Sequence, residues 1–238
     1  MRPGVVAVLV SASLLTLGAA PPGASSSPPL PARMADTGGG TQLITAVAPG
    51  TGSTTGTVTW WDRRGAEDGR WVRAGSAPAR FGAGGLTDGA TRVQGTNTTP
   101  TGLYDLPYAF GIRAAPRGTA YPYRPVRKDS WWCQDNASRA YNRWTEPRPA
   151  DCRAAEAEHL VTYTAQYAHA LVVGFNYHRP VRGRGAGIFL HVDGRGATAG
   201  CVSVPSEAMR RILRWAKPDE RPHLAIGTEG GRTAITRY

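Results

Sequence analysis

The sequence predicts a mainly β fold with one or two short helices and a disulfide-pinned loop insertion, and three features lead there. Short runs rich in Thr, Val and Trp are separated by turns bearing Gly and Pro, the pattern of half-buried strands. One clear amphipathic helix is visible, late in the chain. Cys133 and Cys152 flank a polar segment rich in Trp and Arg that has no regular period. With 238 residues and 41% apolar content, the chain can bury a core as one medium domain or two small ones.

Residues 1–20 begin with Arg2, run through an apolar stretch over residues 5–17 and close on Gly18-Ala19-Ala20, the three parts of a secretory signal. A spanning helix needs ~20 apolar residues, and this run is shorter and diluted by Ser11, Ser13 and Thr16, so no stable membrane anchor is expected after cleavage. Residues 21–41, rich in Pro, Gly and Ser, read as a disordered linker, and residues 42–238 as the folded domain. Residues 42–47 and 55–61 form an expected hairpin around Pro49-Gly50-Thr51-Gly52. A turn is expected at Asp62-Arg63-Arg64-Gly65, then a strand at Arg70-Trp71-Val72. Thr99-Pro100-Thr101-Gly102 reads as a turn before a strand reaching Phe110.

Between residues 121 and 148, Trp131, Trp132, Tyr141 and Trp144 alternate with polar residues, and the segment fits equally a flap over a cleft or a structural insertion with its own aromatic cluster. Residues 160–163, 170–175 and 188–191 read as strands. Ser206 reads as the N-cap of the helix, whose buried face is Met209, Ile212, Leu213 and Ala216, and residues 222–226 as a closing strand.

Formal net charge is +11, and loss of residues 1–20 would leave +10. So large an excess favours anionic surroundings, which for an exported protein means wall polymers or lipid head groups. The arginines (Arg63, Arg64, Arg124, Arg127, Arg182, Arg184) are scattered over loops without a nucleic-acid motif, so nucleic acid is not the expected partner. No phosphate-binding glycine motif and no grouping of metal ligands is present, so neither a cofactor nor a metal is expected.

Three cysteines in an exported chain allow at most one internal disulfide. Pairing Cys133 with Cys152 would restrict the unfolded chain by roughly 3 kcal/mol and leave Cys201 as a free thiol. The other arrangement, with Cys201 bonded and Cys133 or Cys152 free, stays open at this level. Cys201 follows an apolar strand ending in His191 and the glycine-rich loop Asp193-Gly194-Arg195-Gly196-Ala197-Thr198-Ala199-Gly200. An imidazole within reach of a thiol can take its proton and return it to a leaving amine, so His191 and Cys201 form a candidate dyad. The N–H groups of Gly200 and Cys201 would meet an oxyanion, an interaction typically worth ~3 kcal/mol of barrier.

His191 followed by Thr198-Ala199-Gly200-Cys201-Val202 resembles the L,D-transpeptidase catalytic (YkuD) domain, whose pattern is a His, a gap and Ser/Thr-x-Gly-Cys. Thr99-Pro100-Thr101-Gly102 resembles that family's upstream Thr-Pro-x-Gly turn. Trp131, Trp132, Asp135, Ser138, Tyr141, Asn142 and Trp144, with Val172-Val173-Gly174-Phe175-Asn176, resemble one of its branches. The resemblance covers roughly residues 42–238. It implies a YkuD-like β-sandwich and an exported enzyme of the cell wall, whose Cys201 attacks a diaminopimelate carbonyl in a peptidoglycan tetrapeptide stem, releases D-Ala and passes the acyl group to an amine. It gives His191 the base and acid role, the Gly200 backbone an oxyanion role, and the Val192 carbonyl the orientation of the ring. Asn176, Tyr177, His178, Arg195 and Thr198 are candidates for substrate contact, and the implied partners are stem peptides and anionic wall polymers. Two positions depart from the family pattern: Ala199 stands where a second His is usual, and Ser203 where Arg or Asn is usual. The alternatives are an L,D-carboxypeptidase on the same site and a catalytically silent wall-binding protein.

Overall fold

The computed structural model describes Met1, residues 28–65 and residues 69–231. The signal expected over residues 1–20 lies, Met1 apart, outside them. Within the expected linker, Leu30–Arg33 forms one helical turn (α1), and the backbone N–H of Thr41 donates to Glu220 O at 2.9 Å, so the end of that segment is fastened to the domain.

Strands β1 (Gln42–Ala48), β2 (Thr55–Arg64) and β3 (Arg70–Arg80) form an antiparallel meander. They are followed by β4 (Leu86–Asp88), β5 (Thr99–Asp105), β6 (Ala109–Gly111) and β7 (Tyr123–Pro125). Three short strands, β8 (Trp131–Cys133), β9 (Arg143–Thr145) and β10 (Ala157–His159), make a separate small sheet in the order β10-β8-β9. The chain then returns through β11 (Ala170–Val172), β12 (Phe189–Val192), β13 (Val202–Val204), helix α2 (Ser206–Trp215) and β14 (His223–Thr228). The large ladder runs β4-β5-β14-β1-β2-β3-β13-β12-β11-β6-β7.

The protein is a β-sandwich because the two halves of this ladder close on one core. Ile44, Val58 and Trp60 from β1 and β2, and Leu224 and Ile226 from β14, share a buried cluster with Leu171, Leu190, Val192, Val202 and Val204 from β11 to β13. Strand β1 lies between β14 and β2 and is buried along almost its whole length, as its apolar run requires. Helix α2 covers one flank with Ala208, Met209, Ile212 and Leu213, while Glu207 faces Arg210, Arg211 and Arg214 on the wet side.

Four local expectations change. The turn placed at Asp62 is strand: β2 continues to Arg64 past an irregularity between Trp60 and Trp61, and Asp62 Oδ1 accepts from Trp215 Nε1 at 2.8 Å. Thr99-Pro100-Thr101-Gly102 is the start of β5 itself. The strand ends at Asp105, and Ala109–Gly111 is a separate strand beyond Pro107. Residues 160–163 do not form a strand; Leu160–Thr162 is a 3₁₀ turn in which only Leu160 is buried, so there is no alternating face to pair. Ser206 is the first helical residue, and Pro205 takes the cap position without a side-chain cap bond.

The insertion is built rather than loose. Cys133 and Cys152 are bonded, with 6.2 Å between their Cα atoms. The small sheet brings Trp132 and Trp144, and the turn after it Leu160, onto Phe110, Phe189, Ala170, Val172 and Cys201, forming a second core on the opposite face of β6, β11 and β12.

Candidate active site

Strand periodicity decides which side chains meet there. In β12, Leu190 and Val192 enter the sandwich core, so Phe189 and His191 point to the other face, under the small sheet. Cys201 is the residue before β13, which runs parallel to β12 with Leu190 opposite Val202. Its thiol joins that same face: Phe189 N–H donates to Cys201 Sγ at 3.3 Å, and the S–H donates to Gly187 O at 3.3 Å. Cys201 is the free cysteine among the described residues and is only 8% exposed. His191 and Cys201 line one cavity of about 240 Å³ with Glu158, Tyr163, Tyr167, Arg195, Thr198 and Ala199.

His191 is fixed on two sides. Its Nδ1 lies 2.8 Å from Val192 O, and since a carbonyl only accepts, Nδ1 carries the proton and the neutral ring keeps its lone pair on Nε2. The Tyr167 ring meets the imidazole edge-on with centroids 5.6 Å apart. Tyr167 is held by Phe189 and Phe110, each at 5.5 Å, and donates its hydroxyl to Glu158. Burial lowers the His191 pKa, partly offset by the Val192 hydrogen bond, so the ring is neutral at pH 7. Burial also pushes the Cys201 thiol up to about 12, reinforced by the Glu158 carboxylate and opposed by the Phe189 N–H and Arg92. The resting pair is therefore a neutral thiol and a neutral imidazole.

The loop carrying Cys201 is held by two threonines. Thr198 Oγ1 donates to Cys201 O at 2.7 Å, and Thr99 Oγ1 donates to the same oxygen at 3.3 Å. Thr99 Oγ1 also accepts from Gly82 N–H at 2.8 Å, so the first residue of the Thr-Pro-Thr-Gly stretch links the β3 exit to the Cys201 backbone. Gly200 has φ +130°, and a Cβ there would lie 2.8 Å from both Arg92 Nη2 and Thr98 O, so no other residue fits. Its N–H donates to Thr198 Oγ1 at 3.1 Å and is thus engaged inside the loop. At the two positions that depart from the family pattern, Ser203 donates to Asp193 Oδ1 at 2.7 Å, tying down the loop's first residue. Ala199 lines both this cavity and a second one beside it.

Arg195 and Thr198 stand at the cavity with the dyad, whereas Asn176, Tyr177 and His178 do not. The Asn176 side chain bonds Val181 and Gly185, Tyr177 stacks on Trp132, and His178 Nε2 contacts Asp105 Oδ2 at 2.8 Å beside a separate surface hollow. Sequence reasoning passed over Arg92, Glu158, Gln134 and Tyr167, which line the cavities at Cys201 from distant parts of the chain and carry no local pattern. Among the described residues, no cluster of three or more His, Cys, Asp or Glu is arranged to hold a metal. Nor is any helix among them long and apolar enough to cross a membrane.

Fold and site together define a β-sandwich protein with a buried thiol and an imidazole on neighbouring strands. The chain belongs to the L,D-transpeptidase catalytic domain (YkuD) family, whose model matches residues 52–228. A search of curated proteins finds no match.

Proposed function

We propose that the protein is an exported peptidoglycan L,D-transpeptidase with Cys201 as nucleophile and His191 as general base and acid. The family supports peptidoglycan peptides as the substrate class. The observation that carries the residue roles is that Cys201 and His191 share one cavity while Nδ1 of the imidazole is committed to Val192 O, leaving Nε2 as the base. In this reading His191 Nε2 takes the thiol proton as Sγ bonds the diaminopimelate carbonyl carbon. The N–H of Cys201, rather than the engaged N–H of Gly200, meets the oxyanion. Collapse breaks the C–N bond, and His191 gives its proton to the departing D-Ala amine. The thioester is then attacked by an acceptor amine, whose proton passes to Nε2 and on to the sulfur as the C–S bond breaks.

The neutral resting pair favours proton transfer during attack over a standing thiolate. The excess of positive charge suits an anionic wall as the place of work. Incubating the purified protein with a tetrapeptide stem, with and without an acceptor amine, tests the reading. Release of D-Ala with a cross-linked product supports it; release with only the tripeptide identifies an L,D-carboxypeptidase; no release contradicts both.

A further inference from the structure

Cys201 stands between two spaces. Besides the His191 cavity, it lines a second one of about 410 Å³ with Arg92, Gln94, Asn97, Gln134, Glu156 and Glu158, and the two cavities share only Cys201, Ala199 and Glu158. Arg92 is only 6% exposed. Its Nε donates to Thr98 O at 2.7 Å, its Nη1 to Arg184 O at 3.1 Å, and its guanidinium lies over the Phe175 ring at 5.6 Å. No carboxylate pairs with it among the described residues, and Nη2 has no hydrogen-bond partner there. Two glycines make room for it: a Cβ at Gly185 would fall 1.7 Å from Nη1, and one at Gly200 would fall 2.8 Å from Nη2. The acidic side chains of that cavity are otherwise engaged, Glu158 by Gln134 at 2.6 Å and by Tyr167, and Glu156 by Arg153 at 3.9 Å.

A buried cation without a counter-charge is costly unless an anion completes it, and a guanidinium with a free N–H edge matches a carboxylate. Which half of the substrate brings that carboxylate follows from the proton transfers. The leaving amine and the acceptor amine both exchange a proton with His191, so both occupy the His191 cavity, and the acyl half extends to the other side of Cys201. We propose that Arg92 anchors a carboxylate of the acyl-donor stem, either the side-chain carboxylate of the diamino acid or that of the glutamyl residue before it. This assignment rests on the transpeptidase reading. It makes Arg92 a specificity-determining residue on the donor side.

The experiment compares tetrapeptide donors with one carboxylate amidated at a time, following thioester formation by intact-protein mass, in the wild type and in Arg92→Gln. A hydrogen-bonded charge pair of this kind corresponds to about 10- to 100-fold in rate. Amidating one of the two acyl-half carboxylates should slow the wild type by that factor and Arg92→Gln no further, and whichever amide does so identifies the carboxylate. Amidating the leaving residue should affect both proteins equally. The wild-type series stands alone should the variant fail to fold. Wild-type indifference to both acyl-half amides, or equal slowing of every donor by Arg92→Gln as a purely electrostatic effect on the thiol would give, overturns the Arg92 assignment and leaves the transpeptidase reading intact. No thioester from the unmodified donor overturns that reading, and this assignment with it.

Discussion

Cys201 holds its proton at rest because burial opposes the thiolate, so its reactivity depends on a base that acts during attack. His191→Asn keeps a polar side chain of similar size and removes the base; acylation by a stem donor should fall by about 10²- to 10⁴-fold with the fold retained, as read by stopped mass analysis beside a far-UV spectrum. The pH profile has a definite sign. Burial keeps His191 neutral below its ordinary value of 6.5, so the acylation rate should rise with pH through an ionisation lying under 6.5 and stay level across the neutral range. The same shift bears on stability. Below pH 6.5 the unfolded chain binds a proton at this position that the folded chain resists, so stability is full above 6.5 and declines as pH falls through the window down to the lowered folded value. His169, lowered mainly by burial, adds a change of the same sign. Urea unfolding at pH 5 and pH 7 checks this.

At the scale of elements, the site depends on how strands and insertion are joined. Asn142, in the left-handed region at φ +56°, accepts from Trp132 Nε1 and from Gly187 N–H, both at 3.0 Å, and donates to Asn176 O at 2.6 Å. It ties the small sheet to the turn whose carbonyl receives the Cys201 proton. Asn142→Ala leaves two buried donors without partners, at about 1–3 kcal/mol each, and thermal unfolding should report the loss. Replacing Cys133 and Cys152 together by Ser removes a loop constraint of roughly 3 kcal/mol, measurable as a shift in denaturant midpoint.

The legibility of the elements was uneven for a physical reason. Alternation and turn chemistry made the β1/β2 hairpin, α2 and the strands around His191 readable, because those signals are local. Thr99-Pro100-Thr101-Gly102 was misread as a turn because Pro and Gly usually punctuate strands, whereas here Pro100 lies in a strand opposite Thr87 of the short edge strand β4, before the pairing with β14 begins at Gly102. Residues 160–163 carried a β-rich composition but only one buried side chain, and tertiary position overrode the propensity. Cys201 and His191 were legible from their spacing. Arg92 and Glu158 were not, since each is brought to the cavity beside the thiol from more than forty residues away in sequence.

Across the whole molecule, the large ladder forms one core between its halves and a second beneath the insertion, and the thiol lies in the second. The roof of that second core supplies Glu158 and Gln134 to the cavities, so the insertion belongs to the site rather than decorating it. The net charge of +11 belongs to this scale too: pelleting with wall sacculi should weaken steadily as ionic strength rises, because exposed charges are screened. Cys201→Ala should pellet as the wild type does, since the thiol is buried and carries no surface charge.

The central claim is that Cys201 forms an acyl-enzyme from a stem peptide, and intact-protein mass after incubation with a tetrapeptide donor tests it most directly. The wild type should gain the mass of the donor less the released D-Ala, on the peptide that contains Cys201, while Cys201→Ala gains nothing. An unchanged wild-type mass with no D-Ala released, or the same gain in Cys201→Ala, would contradict the account.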